Sequence, residues 1–241
     1  MSVVVLTRNP RGIASRFIAR GNVQVDLVLL DEATGPGWRA RLRKLRRVGP
    51  TAAPVGLALR RAYAAAQGDQ PRVDALGVRV LRVPTLNGPE ARAALAGASV
   101  AVTLDSRLIS DATFSVPQHG TVNVHHGTVP AYRGGPPVFW ELADGRDTVG
   151  FTVHRIDRGI DTGPVLAAGE IPIVRRPTFT TTLAATLPRL HEASLEALET
   201  VLAAGDLAGA PQTGGGSFRT TPRLRDYLNV RRRLRHYDQR P

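Results

Sequence analysis

The sequence predicts an α/β fold built on a doubly wound, mostly parallel sheet, with a short C-terminal extension. Three observations carry this. Continuous apolar runs of strand length, rich in Val, Leu and Ala, recur along the first half of the chain, as strands covered on both faces require. Segments of helical periodicity fall between them, the alternation of βαβ units. At 241 residues and 42% hydrophobic, the chain can bury one large core.

Taken in order, Val3 to Leu6 is the first apolar run. The polar loop TRNPRG (7–12) and the helix-like IASRFIARG follow it. VDLVLLDE (25–32) is the next strand-length run. Residues 37–67 read as one or two inserted helices, with Trp38, Leu42 and Leu45 on one face packing against the sheet. VRVLRV (79–84) and ASVAVTL (98–104) repeat the strand type, with helical PEARAALAG between them. TVNVHH (121–126) and TVGFTVH (148–154) read as further strands, and VLAAGEIPIV as an extended pairing partner. Leu183, Leu187, Leu190, Leu198 and Leu202 mark an amphipathic helix bent at Pro188 and stopped at Gly205. Trp140 reads as a helix packing residue. QTGGGS (212–217) is linker-like and a basic tail follows. The expected organisation is one domain over 1–205 and a linker with basic extension over 206–241.

The chain has no cysteine, which removes disulfides, thiolate nucleophiles and Cys-based zinc sites. MSVVVLTRNPRG has no cationic stretch ahead of its short apolar run, and no run approaches a membrane span. The expectation is a soluble cytoplasmic protein with no membrane partner. Net charge is +12, but of 32 basic residues only Lys44 is lysine. Neither cluster, RARLRKLRR (39–47) or RRRLRHYDQR (231–240), interleaves aromatics in the way a single-strand stacking platform needs. They read as solvated faces, and the balance weighs against a nucleic-acid partner.

Sheets of this kind place ligands beyond the carboxyl ends of their strands, and TVNVH ends at such an edge. Successive strand residues face opposite ways, so Asn123 and His125 share one face and Val122, Val124 and His126 the other. His125 and His126 are therefore not placed to bind one metal ion jointly. An amide beside an imidazole suits acyl transfer: the amide donates to a developing oxyanion, and the imidazole handles a proton near neutral pH. A carboxylate usually serves such a histidine, and Asp157 and Asp161 in HRIDRGIDTGP are the candidates. His154, on the preceding strand, is either a hydrogen-bonding support or a core residue.

NVHHGTVPAYRGGPP followed by VGFTVHRIDRGIDTGPVL resembles the signature of the 10-formyltetrahydrofolate-dependent formyltransferases. That family comprises the glycinamide ribonucleotide, methionyl-tRNA and amino-sugar enzymes. The resemblance runs from about 98 to 205 and implies a Rossmann-like formyltransferase fold. It implies Asn123, His125 and Asp161 as catalytic residues, and 10-formyltetrahydrofolate as co-substrate, with no metal. DSRLIS resembles the segment that holds the pterin, implying Arg107, Leu108 and Ile109 there. Ile156, Asp157 and Ile160 are implied on the other wall. Arg11, His126, Tyr132 and Arg133 are the candidates for contacting the acceptor. The loop TRNPRG lacks the Gly/Ser/Asn-rich phosphate loop of the purine enzyme, and the residues after Gly205 are too few for a tRNA-holding domain. The expected reaction is formyl transfer to a primary amine of a small molecule, a nucleotide-linked amino sugar or related biosynthetic amine. A homodimer is compatible with the sequence. The rivals are methionyl-tRNA formylation, hydrolysis of the formyl-folate, and a basic RNA-binding module with a relict pocket.

Overall fold

The computed structural model describes residues 1–33 and 52–237. Trp38, Leu42, Leu45 and the RARLRKLRR cluster lie outside the described residues. Seven strands form the central sheet: β1 (Val3–Thr7), β2 (Leu27–Asp31), β3 (Val80–Val83), β4 (Val100–Thr103), β5 (Thr121–His125), β7 (Thr148–Arg155) and β8 (Val165–Pro172). Their order is β3-β2-β1-β4-β5-β7-β8. The first five are parallel, while β7 runs antiparallel to β5 and β8 antiparallel to β7. The chain winds outward from β1 to β3 and returns across β1 to β4, so strand order reverses between β1 and β4.

The apolar runs are explained by two-sided burial. Val3 and Val5 enter one cluster with Ile13 and Phe17 of α1 (Ile13–Arg20) and with Leu195 and Leu198 of a long helix. Val4 and Leu6 enter another with Leu86, Ala91 and Leu95, the last two on α3 (Pro89–Leu95). A strand feeding cores on both faces has no polar side to alternate with. Between these helices in sequence lies α2 (Ala52–Ala66), whose Val55, Leu59 and Ala62 join a third cluster. A one-turn α4 (Asp111–Phe114) precedes β5, and α5 (Phe139–Asp144) precedes β7.

The long helix, α6 (Phe179–Ala204), spans 26 residues with Pro188 inside it. It starts at a capping box formed by Thr178 and Thr181 and stops at Gly205, whose φ of 71° is the left-handed stop that glycine accepts. Beyond it the chain stays on the domain. Ala210 bridges to Val165, and β9 (Phe218–Arg219) pairs in parallel with β6 (Arg133–Gly134). In α7 (Leu224–Tyr237), Val230 and Leu234 are buried in the cluster with Phe139 and Leu142.

Gly150 on β7 shows how closely the loop after β5 lies on the sheet. A Cβ added there would stand 1.8 Å from Thr128 Oγ1 and 3.0 Å from its Cβ. Gly150→Ala is therefore expected to lower stability by about 1–3 kcal/mol. Combining it with Thr128→Ala should recover part of that loss, because the closest clashing atom is gone. Urea unfolding midpoints of the two single variants and the double variant check this; additive losses would contradict it.

Candidate active site

β5 presents Asn123 and His125 on one face, while Val122 and Val124 pack into the cluster that holds Leu195 and Leu198. His126 points the same way as those valines. Its ring lies 4.9 Å from that of His191, and its Nε2 is 3.2 Å from Ser194 Oγ on α6. The adjacent histidines are thus divided between the two faces of the sheet, and His126 is not brought to the Asn123 side.

Antiparallel pairing sets His154 of β7 directly opposite Asn123. A chain of hydrogen bonds runs through both. Thr103 Oγ1 donates to Asn123 Oδ1 (2.6 Å), and Asn123 Nδ2 donates to His154 Nε2 (3.1 Å). His154 Nδ1 donates to the Arg155 carbonyl (2.8 Å). Because a carbonyl only accepts, His154 carries its proton on Nδ1 and its Nε2 is free to accept. The amide orientation of Asn123 follows, and one Nδ2 hydrogen remains outside this chain.

His125 is held by a second carbonyl: its Nε2 donates to Tyr132 O at 2.7 Å. Its Nδ1 faces Asp161 Oδ2 at 3.5 Å, and Asp161 Oδ1 lies 3.6 Å from His154 Nε2. Gly134 N donates to Asp161 Oδ2 at 2.9 Å. Asp161 takes a left-handed φ of 53°, a conformation Asp tolerates better than most side chains. Burial lowers the His125 pKa, outweighing the upward pull of Asp161 and of the Tyr132 carbonyl; His154 adds to the lowering. Burial pushes Asp161 upward, but the contact with His154, the charge His125 can carry and the Gly134 N–H outweigh it and hold the carboxyl low. The carboxylate thus stands between the two imidazole rings.

Residues 88–202 match the family model described as formyl transferase. The match takes in just under half of the chain. It contains Asn123, His125, Asp161 and His154 and ends before the Ala210 bridge to Val165 and before β9. A methionyl-tRNA formyltransferase of Sorangium cellulosum is 37% identical over 101 residues, 41% of this chain and 32% of that protein. The chain spans between 26% and 46% of the length of the curated relatives it matches. The fold extends further. A sugar N-formyltransferase from Shewanella sp. superposes with a TM-score of 0.61 at 14% identity, covering 97% of this chain and 87% of that one. A formyltransferase from Anoxybacillus kamchatkensis, solved with UDP-4,6-dideoxy-4-formamido-L-AltNAc and tetrahydrofolate, gives 0.51 at 17% identity over 94% and 87%.

The residues that the formyl transferase resemblance implies for folate lie on two neighbouring loops. Arg158 of one forms an ion pair with Asp111 beside the other, at 2.8 Å. Leu108 is 70% exposed and Ile160 39%, so each loop leaves a large apolar side chain open to a ligand. Ile109 packs against the core cluster of β1 and β2. The Arg107 side chain turns away, its Nε 3.2 Å from Asp31 and its Nη2 donating to Ala33 O. Ile156 N donates to Thr121 O. Asp157 caps its own loop, accepting from Gly159 N (3.0 Å) and Thr162 Oγ1 (2.5 Å). Asp161 is thus the carboxylate that reaches His125.

Among the acceptor candidates, Tyr132 contributes its carbonyl to His125 and sends its hydroxyl to Asp144 (3.1 Å). Arg11 turns to the Gln70 carbonyl (2.8 Å) and is not gathered with Asn123, His125 and Asp161. Arg133 donates to Gln212 Oε1 through Nη2 at 2.7 Å. Sequence reasoning passed over Thr103, the Gly134 N–H and Gln212. A polar residue closing the run VAVT was a usable signal for Thr103; the other two carried none. No helix among the described residues is long and apolar enough to cross a membrane. No group of three or more His, Cys, Asp or Glu among them is arranged to hold a metal ion.

The buried titratable groups predict how stability depends on pH. His125 and His126 are both lowered, first by burial. His191 falls to about 3, through burial and then Arg16. These groups stay neutral in the folded chain while the unfolded chain protonates them below its ordinary imidazole pKa of about 6.5. Glu141 opposes them: burial raises it to about 7, so the folded chain keeps a proton there that the unfolded chain gives up above about pH 4.5. The histidines outnumber the one carboxyl, so stability should fall as pH drops from about 6.5 towards 4.5. His191→Leu should reduce this drop. Urea midpoints of both proteins at the two pH extremes check it, and a wild-type midpoint that rises on acidification would contradict it.

Proposed function

We propose that this protein is an N-formyltransferase that moves the formyl group of 10-formyltetrahydrofolate to the primary amine of a small molecule. We take the acceptor to be a nucleotide-linked amino sugar. The observation that carries the reading is the joint placement of Asn123, His125 and Asp161 on one face of β5, each held by partners that fix its polar atoms. The open Leu108 and Ile160 on adjoining loops fit the flat apolar face of a pterin. The co-substrate supplies an activated formyl carbon on a nitrogen leaving group.

The transfer makes one C–N bond to the acceptor amine and breaks another to the donor nitrogen. The attacking amine loses a proton and the departing nitrogen gains one, so the chain must relay a proton rather than supply one. Asn123, locked by Thr103 and His154, offers its remaining Nδ2 hydrogen to the formyl oxygen as negative charge develops there. His125, when protonated, sets its positive charge beside that oxygen, and Asp161 stabilises the protonated ring. Asp161 is also the base within reach that takes the amine proton in transit. The resemblance to sugar N-formyltransferases over nearly the whole chain supports the acceptor class. The methionyl-tRNA names of the sequence relatives favour a second reading, with an aminoacyl-tRNA as acceptor.

A panel of amines, including nucleotide-linked amino sugars, methionyl-tRNA and water alone, tests the reading with 10-formyltetrahydrofolate, following tetrahydrofolate release by absorbance. Turnover is expected with an amino sugar; turnover with methionyl-tRNA alone would move the protein to the second reading, and release without any amine would make it a hydrolase. Asn123→Ala, His125→Ala and Asp161→Ala should each lose on the order of a hundredfold or more in kcat while keeping the wild-type far-UV CD spectrum. Folded variants that turn over at the wild-type rate would remove the mechanism.

A further inference from the structure

Asp161 stands on a loop and holds a backbone conformation that most residues avoid, yet its carboxylate must meet His125, His154 and Gly134 N together. Something outside the loop has to hold it. The residues from 209 to 219 lie across both loops that build the site. Ala210 exchanges two backbone hydrogen bonds with Val165, at 2.7 and 2.8 Å. Ser217 Oγ donates to Ala131 O at 2.7 Å. Arg133 N donates to Ser217 O, and Gly135 N to Arg219 O. A Cβ on Gly216 would stand 2.2 Å from Pro130 O, and one on Gly134 2.2 Å from Arg219 O, so backbone lies on backbone. The Arg219 guanidinium sits over the rings of Tyr132 and Trp140, 5.6 and 5.1 Å from their centres.

One side chain joins this strap to the carboxylate loop from within. Gln212 Nε2 donates to Asp161 O at 2.9 Å and to Gly163 O at 2.8 Å. Its Oε1 accepts from Arg133 Nη2 at 2.7 Å and more weakly from Nε at 3.3 Å. Both amide hydrogens and the amide oxygen are used, and the guanidinium fixes which end of the amide points at the loop. Arg133 adjoins Gly134, whose N–H holds the carboxylate itself. Gln212 thus ties the main chain of Asp161 to the segment that binds its side chain.

We infer that Gln212 is a positioning residue: it fixes the main chain of Asp161 so that the carboxylate stands against His125, and Arg133 serves to orient Gln212. This inference rests on reading Asp161 as the group that serves His125. Losing the two N–H donors leaves two carbonyls without their partner and lets the loop relax. The carboxylate then retreats from His125, whose protonated form it supports. Gln212 touches neither reacting atoms nor co-substrate, so its loss acts through Asp161.

The test follows the His125 ring by NMR titration, which needs no acceptor, and then the kinetics. Asp161→Asn, Gln212→Leu and Gln212→Ala are compared with wild type; Leu keeps the bulk of Gln without its donors. Asp161→Asn should move the His125 titration to lower pH, since the lost carboxylate had raised it. Both Gln212 variants should move it the same way by less. In turnover they should lose roughly tenfold in kcat, as a misplaced group does, with the KM for 10-formyltetrahydrofolate within about twofold of wild type. A merely structural strap would lower the unfolding midpoint and leave the His125 titration in place, which would overturn the inference. If Asp161→Asn itself leaves the titration and the rate unchanged, the reading of the site fails instead. A normal His125 titration in both Gln212 variants, beside a shifted one in Asp161→Asn, overturns only the role of Gln212.

Discussion

The antiparallel pairing of β5 with β7 is the constraint on which the site depends. It sets His154 opposite Asn123, so that an amide and an imidazole meet across a ladder whose spacing brings facing side chains within hydrogen-bonding reach. It also makes the following segment, 156–164, the turn of a hairpin to β8, and that turn lies over the sheet face instead of running off its edge. Arg155 N bonds the Pro164 carbonyl across the neck of the turn. A parallel β7 would have required a long crossover and carried the carboxylate away. Reversal of one strand thus gathers three chemically different groups on a single surface.

Around those groups the protein uses main-chain atoms as its fixed points. Tyr132 O and Arg155 O each take one imidazole hydrogen, and Gly134 N meets the carboxylate. Backbone groups cannot swing aside as side chains do, so each ring is left with a defined tautomer: Nδ1 of His125 faces Asp161, and Nε2 of His154 takes the Asn123 amide hydrogen. The arrangement needs bare backbone nearby. A Cβ on Gly127 would stand 2.5 Å from Tyr132 O and 2.7 Å from His125 Nε2, inside the space of the hydrogen bond that orients the ring. The same economy of side chains divides His125 from His126, one facing Asp161 and the other filling the interface with α6.

Much of this was legible from residues alone. Two-sided burial writes itself as unbroken apolar runs, which is why β1, β2 and β4 were readable. Gly205 marked the end of α6 because a left-handed stop favours glycine. The two-residue period of a strand is enough to separate Asn123 and His125 from His126. What was not readable depended on long-range register. Nothing in TVGFTVH states the direction of the strand, so His154 could not be set against Asn123. Nothing in QTGGGS shows that its glutamine reaches across some fifty residues to the Asp161 loop. The Tyr132 carbonyl is a contact that every residue type would supply, so no choice of residue records it.

The placement of the strap also orders events during synthesis. The parallel sheet and α6 involve residues up to about 205, and a chain made to that point already has the groups for its main core. The bonds from 210 to 219 that bridge the loops over β5 come afterwards, closing contacts across more than eighty residues between Ser217 and Ala131. Such late, distant closures are added to a scaffold that is already folded. On a ribosome the sheet would therefore take shape first, and the Asp161 loop would gain its Gln212 bonds only once residues 210–219 have room to dock.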